Sequence, residues 1–114
     1  MDITPEQWVI LEIIHNLGDK ASQSEVTKLS YRNRATTSRL INSLCQKEFV
    51  SRSEFPGDSR RFKLNLSDQG MKMVKIGGPI VDHLRAQGFQ GTNPVDYGQF
   101  ESVLKKMIAN YSKE

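Results

Sequence analysis

Apolar positions at the start of the chain recur with helical spacing. Trp8, Leu11, Ile14 and His15 return every three or four residues, and Val9, Ile10 and Ile13 widen that face. Thr4 can cap the helix, Pro5 suits its first position, and Gln7 stands where a capping box needs a polar side chain. Gly18 ends the run, where a left-handed residue costs little. Ser22-Gln23-Ser24-Glu25 repeats the capping pattern ahead of Val26 and Leu29, and predicts a short second helix that stops near Ser30. Asn33 caps a third helix that runs to Lys47 or Glu48, with Leu40, Ile41, Leu44 and Cys45 as its inner stripe. Thr37 falls toward that stripe. Arg34, Ala35, Thr36, Ser38, Arg39, Asn42 and Gln46 are left toward solvent. A short helix, a tight turn and a longer helix with a polar outer face have helix-turn-helix spacing.

The period changes at Phe49. Phe49-Val50-Ser51-Arg52-Ser53 has strand character, and Phe62-Lys63-Leu64-Asn65-Leu66 alternates apolar and polar residues. Phe55-Pro56-Gly57-Asp58-Ser59 between them carries the Pro-Gly punctuation of a loop, so residues 50–66 read as a β-hairpin wing. Ser67 caps a further helix beginning Asp68-Gln69-Gly70-Met71, which Gly77-Gly78-Pro79 is expected to kink or break. Residues 87–92 read as a loop. Asn93-Pro94 starts a last helix whose Val95, Phe100, Val103, Leu104, Met107, Ile108 and Tyr111 form a broad apolar stripe. The expected fold is mainly α with a small β-hairpin: a winged helix-turn-helix over residues 1–70, then a C-terminal helical region over 71–114.

Composition narrows the function classes. A hydrophobic share of 37% is modest for a chain of 114 residues and fits stabilisation by a second copy. The longest uncharged apolar run, Gln7-Trp8-Val9-Ile10-Leu11, is far too short to cross a bilayer. Residues 1–6 hold two acids and no basic segment, unlike a secretory signal, so a cytoplasmic protein without a membrane partner is expected. One cysteine, Cys45, excludes an internal disulfide and a multi-cysteine metal site, and His15 and His83 are too far apart for a local ligand pair. No glycine-rich phosphate loop, metal cluster or nucleophile–base pair is legible, so neither a cofactor nor an enzyme is expected.

Charge is unevenly distributed. Residues 32–63 carry eight bases (Arg32, Arg34, Arg39, Lys47, Arg52, Arg60, Arg61, Lys63) against Glu48, Glu54 and Asp58, a local charge of +5, while the remainder carries −2. That asymmetry suits a face that meets phosphates, and on charge alone it equally suits a solvated basic surface. The segments inside it decide more. Arg39 can bridge guanine O6 and N7, Asn42 can pair with adenine, and Thr36 and Ser38 can reach base or phosphate, with Arg34 flanking them. Arg60 and Arg61 at the wing tip can enter a narrow minor groove. Asp58, which would repel a phosphate, is expected to orient an arginine and set the hairpin. The plain alternatives are an amphipathic helix with a solvated face and a turn with an incidental ion pair.

These segments together resemble the MarR family of bacterial transcriptional regulators. The likeness rests on Thr4-Pro5-Glu6-Gln7-Trp8-Val9-Ile10-Leu11, Ser22-Gln23-Ser24-Glu25-Val26, Arg34-Ala35-Thr36-Thr37-Ser38-Arg39-Leu40-Ile41-Asn42-Ser43-Leu44, Asp58-Ser59-Arg60-Arg61 and Leu66-Ser67-Asp68-Gln69-Gly70. It implies a winged helix and a homodimeric repressor on a pseudo-palindromic double-stranded DNA operator. It also implies that Thr36, Ser38 and Arg39 contact DNA from the recognition helix, that Arg60 is the wing arginine, and that Asp58 is its structural partner. The chain reaches the family's second helix at Thr4, so the family's N-terminal dimerisation helix is expected to be absent, and a small-molecule effector stays unspecified. Dimerisation then falls to residues 80–84 and to the last helix, through Phe100, Leu104, Met107, Ile108 and Tyr111. Cys45, on the inner face of the third helix, reads as a structural thiol. The competing reading is a winged-helix protein-interaction module, in which a partner's helix fills an apolar groove and DNA binding is weak or lost.

Overall fold

The computed structural model describes residues 3–88, 90–91 and 93–112. Its elements are α1 (Pro5–Leu17), α2 (Gln23–Ser30), α3 (Arg34–Gln46), β1 (Val50–Phe55), β2 (Asp58–Leu66), α4 (Asp68–Gly88) and α5 (Pro94–Ser112), with one 3₁₀ turn at Gly18–Lys20. The helix starts follow from local chemistry. Thr4 Oγ1 accepts the Gln7 backbone N–H at 3.1 Å, and Gln7 Oε1 accepts the Thr4 N–H at 3.1 Å, closing the capping box. Ser22 Oγ accepts from the Glu25 N–H at 3.1 Å, and Asn33 Oδ1 from the Thr36 N–H at 2.7 Å. Asn93 Oδ1 does the same for Asp96 at 2.8 Å.

The chain forms two compact units, Met1–Pro79 and Ile80–Glu114. In the first, Trp8, Ile10, Leu11 and Ile14 of α1 meet Val26 of α2, Leu40, Ile41 and Leu44 of α3, and Val50 and Leu64 of the hairpin, all buried. Burying side chains of this size contributes about 1.5–3 kcal/mol each, which is why the stripe positions decide which way each helix faces. Polar ties set the register. Gln7 Nε2 donates to Ser43 Oγ at 2.9 Å, and Lys47 Nζ donates to Gln7 Oε1 at 2.9 Å, pinning α1 to the far end of α3. Thr37, fully buried, shares a hydrogen bond with Ser30 Oγ at 3.2 Å and joins α3 to α2.

The hairpin is antiparallel, with Val50 opposite Leu66 and Glu54 opposite Phe62. The loop read over Phe55-Pro56-Gly57-Asp58-Ser59 is shorter than expected, because both strands extend into it. Gly57, at φ 79°, supplies the left-handed residue of a Pro-Gly turn. The start of α2 is drawn against the wing: the Leu64 N–H donates to the Ala21 carbonyl at 2.7 Å, and Ser22 bridges to Lys63.

Ser67 joins the wing to α4. Its Oγ donates to the Glu48 carbonyl at 2.6 Å and accepts from the Gly70 N–H at 3.0 Å. Gly70 packs so closely on Phe49 that a Cβ there would collide with the Phe49 carbonyl oxygen. Of the kink or break expected at Gly77-Gly78-Pro79, the break is not present, since α4 continues through Pro79 to Gly88. Pro79 removes one helical N–H, and Gly78 lacks the Cβ on which a following proline ring would press. Residues 87 and 88, read as the start of a loop, therefore belong to the helix, while Phe89 and Thr92 of that loop lie outside the described residues.

In the second unit, α5 exposes much of its apolar stripe. Val95, Phe100, Val103, Leu104, Met107 and Tyr111 are exposed, from 43% at Leu104 to 74% at Tyr111, and Ile108 is half-buried. Ile80 and Leu84 of the same unit are exposed as well. Among the described residues no helix is long and apolar enough to cross a membrane.

Candidate nucleic-acid interface

The candidate interface lies wholly within the first unit, where α2, α3 and the wing carry its polar side chains. Arg34 is the first residue of α3 and is exposed, and Arg39, five residues on, is exposed as well. Thr36 and Ser38 are half-buried between them. Arg39 makes no side-chain hydrogen bond or ion pair among the described residues, so its five donors are available to an outside partner.

The wing presents its arginines through an irregularity that local pattern does not reveal. Glu54 pairs with Phe62, but the next residue, Phe55, pairs with Asp58, so Ser59, Arg60 and Arg61 bulge out of the ladder. A bulge bends its strand and re-aims side chains. Asp58 holds this corner through the backbone: its Oδ1 accepts the Arg60 N–H at 3.1 Å, while the Arg60 Nε lies 3.9 Å away. Asp58 therefore sets the corner through a backbone turn bond and reaches the arginine side chain only through one long ion pair. The Arg60 side chain is 94% exposed, which leaves it free to engage a partner. Arg61 instead stacks over the Phe55 ring, 4.5 Å from its centroid.

Arg34, Arg60 and Arg61 come together around one groove of about 560 Å³, lined also by Ser22, Gln23, Ser24, Thr27 and Phe62. The start of α2, the start of α3 and the wing bulge are thus one surface, with three guanidinium groups over small polar side chains. Thr36, Ser38 and Arg39 are not among the lining residues of that groove, and they continue the polar face along α3.

Asn42 has a further partner. Its Oδ1 accepts from Arg52 Nη2 at 2.5 Å, and Arg52 Nη1 lies 3.5 Å from Cys45 Sγ. Arg52, in sequence only one of the bases of residues 32–63, therefore links β1 to the C-terminal half of α3. Cys45 is half-buried beside that guanidinium. Gln23, in sequence no more than part of a helix start, donates from Nε2 to Ser38 Oγ at 3.1 Å. Neither link has a sequence signal, because each joins residues of different elements.

Residues 3–62 match the model of the MarR family, so the matched segment holds α1, α2, α3, β1 and most of β2. Solved structures agree on the fold. A MarR/EmrR family transcriptional regulator from Acinetobacter sp. ADP1 superposes with a TM-score of 0.88 at 18% identity, over 98% of this chain and 78% of that one. BpsR from Bordetella bronchiseptica, whose DNA binding is regulated by 6-hydroxynicotinic acid, gives 0.81 at 25% identity, over 93% and 75%. The S. aureus MepR–DNA complex gives 0.79 at 25% identity, over 96% and 80%. With the family match running from α1 into the wing and this architecture shared end to end, the chain belongs to the MarR family.

Proposed function

We propose that the protein is a sequence-specific, double-stranded DNA-binding transcriptional repressor that acts as a homodimer on a pseudo-palindromic operator. The observation that carries this reading is the groove at which Arg34, the first residue of α3, meets the bulged wing arginines Arg60 and Arg61. Residues 36–42 of α3 enter the major groove, where Thr36, Ser38, Arg39 and Asn42 meet base edges or phosphates, and Arg34 flanks the backbone. Arg60 enters the minor groove, where the field of the duplex is most negative, and Arg61 lies against phosphate. Asp58 keeps Arg60 on the bulge. In this division residues 1–70 bind DNA and residues 71–114 hold the dimer, through Phe100, Leu104, Met107, Ile108 and Tyr111. The DNA-bound MepR structure supports the first part. BpsR supports adding a small-molecule effector to the reading.

The test is a binding titration on a duplex operator at several salt concentrations. Binding should fall steeply with salt, as phosphate neutralisation releases counterions. Arg39→Ala should weaken binding by about tenfold or more and relax base preference at one position, whereas Arg60→Ala should weaken it comparably. Affinity indifferent to both substitutions would overturn the reading.

A further inference from the structure

The hydroxyls around α2 and α3 differ in how they use their protons. Thr27 Oγ1 donates to the Gln23 carbonyl at 2.8 Å, Ser30 Oγ to the Thr27 carbonyl at 2.9 Å, and Ser43 Oγ to the Leu40 carbonyl at 2.6 Å. Each spends its proton on its own helix. Ser38 does not. Its Oγ accepts from Gln23 Nε2 at 3.1 Å and makes no other side-chain hydrogen bond among the described residues. A serine hydroxyl has one proton and two lone pairs, so a bond that occupies one lone pair leaves the proton and a single acceptor site, and the accepted bond polarises the hydroxyl so that it donates more strongly. Ser38 is half-buried, and it sits on the polar face of α3 between Arg34 and Arg39.

We propose that Gln23, which lies outside the recognition helix, is a positioning residue for base recognition: by donating to Ser38 it takes up one of that hydroxyl's two acceptor sites and biases it toward donating into the major groove. The inference rests on the DNA-binding reading above. In the major groove guanine, adenine and thymine each offer an acceptor, while cytosine offers only its amino donor. A serine biased toward donating therefore disfavours cytosine at the position it faces. Freed from Gln23, the same hydroxyl regains its second acceptor site and loses that bias.

The experiment measures affinity for four versions of the selected operator that differ at one half-site position, with melting temperature recorded for each protein. The wild type should disfavour cytosine at one position by about fivefold or more. Gln23→Glu replaces the amide donor with an acceptor, so Ser38 must turn its proton to the carboxylate, and preference should move toward cytosine at that position. The added negative charge weakens all four duplexes alike, which separates it from the change in preference. Ser38→Ala should flatten the preference, and Gln23→Glu in that background should leave it flat. Gln23→Leu, which carries no new charge, should shrink the discrimination without reversing it. A loss that is equal across all four bases, or a wild type with no cytosine discrimination at any position, overturns the proposal alone. A wild type that selects no sequence overturns both the proposal and the reading beneath it.

Discussion

Gly70 shows how one atom can hold the wing in place. Its missing Cβ lets α4 start against the Phe49 carbonyl, and its N–H is held by Ser67, whose own hydroxyl holds the Glu48 carbonyl. Gly70→Ala should destabilise the fold by roughly 1–3 kcal/mol, read from denaturant melts, because the new methyl must displace backbone. An unchanged midpoint would show that the helix start can shift freely. The Leu-Ser-Asp-Gln-Gly run was legible in the sequence as a helix start, yet its close approach to Phe49 was not, since that depends on a carbonyl from another element. The same division holds for the candidate interface. Arg39, Arg60 and Asp58 were legible as residue types in the right segments. That Asp58 holds a backbone N–H, that Asn42 is tied to Arg52, and that Gln23 is tied to Ser38 were not, because no periodicity records contacts between elements.

At the scale of elements, local caps are what made the helices readable. Thr4, Ser22 and Asn33 each satisfy an N–H that the first turn would otherwise leave orphaned. Asn33→Ala should cost about 1 kcal/mol in thermal or denaturant melts and fray the start of α3, with Asn33→Ser restoring most of it. Equal stability of the alanine and serine variants would contradict that role. Two elements departed from local expectation, each for a physical reason. The wing strands run further toward the turn than alternation suggests, because a three-residue bulge absorbs the mismatch between them. The helix α4 passes through Pro79, because one lost hydrogen bond does not outweigh the helical turns on either side.

For the whole molecule, the exposed apolar residues of α5 and the polar surface of the first unit call for different partners. A row that includes Phe100, Leu104, Met107 and Tyr111 in solvent is larger than scattered surface apolar residues and suits the proposed association face. Under the proposed homodimer, Leu104→Glu should yield monomers in sedimentation measurements and should weaken operator binding, since each copy would then hold only one half-site. An unchanged mass would place the dimer contact elsewhere. Under the proposed function, α3 and the wing together read duplex DNA in a two-fold arrangement. Selection from random duplexes with the purified protein tests it most directly. The predicted result is an enriched inverted repeat whose half-sites lie about one helical turn apart, roughly 10–10.5 base pairs. Enrichment of no sequence, or of a single unrepeated half-site, would contradict it.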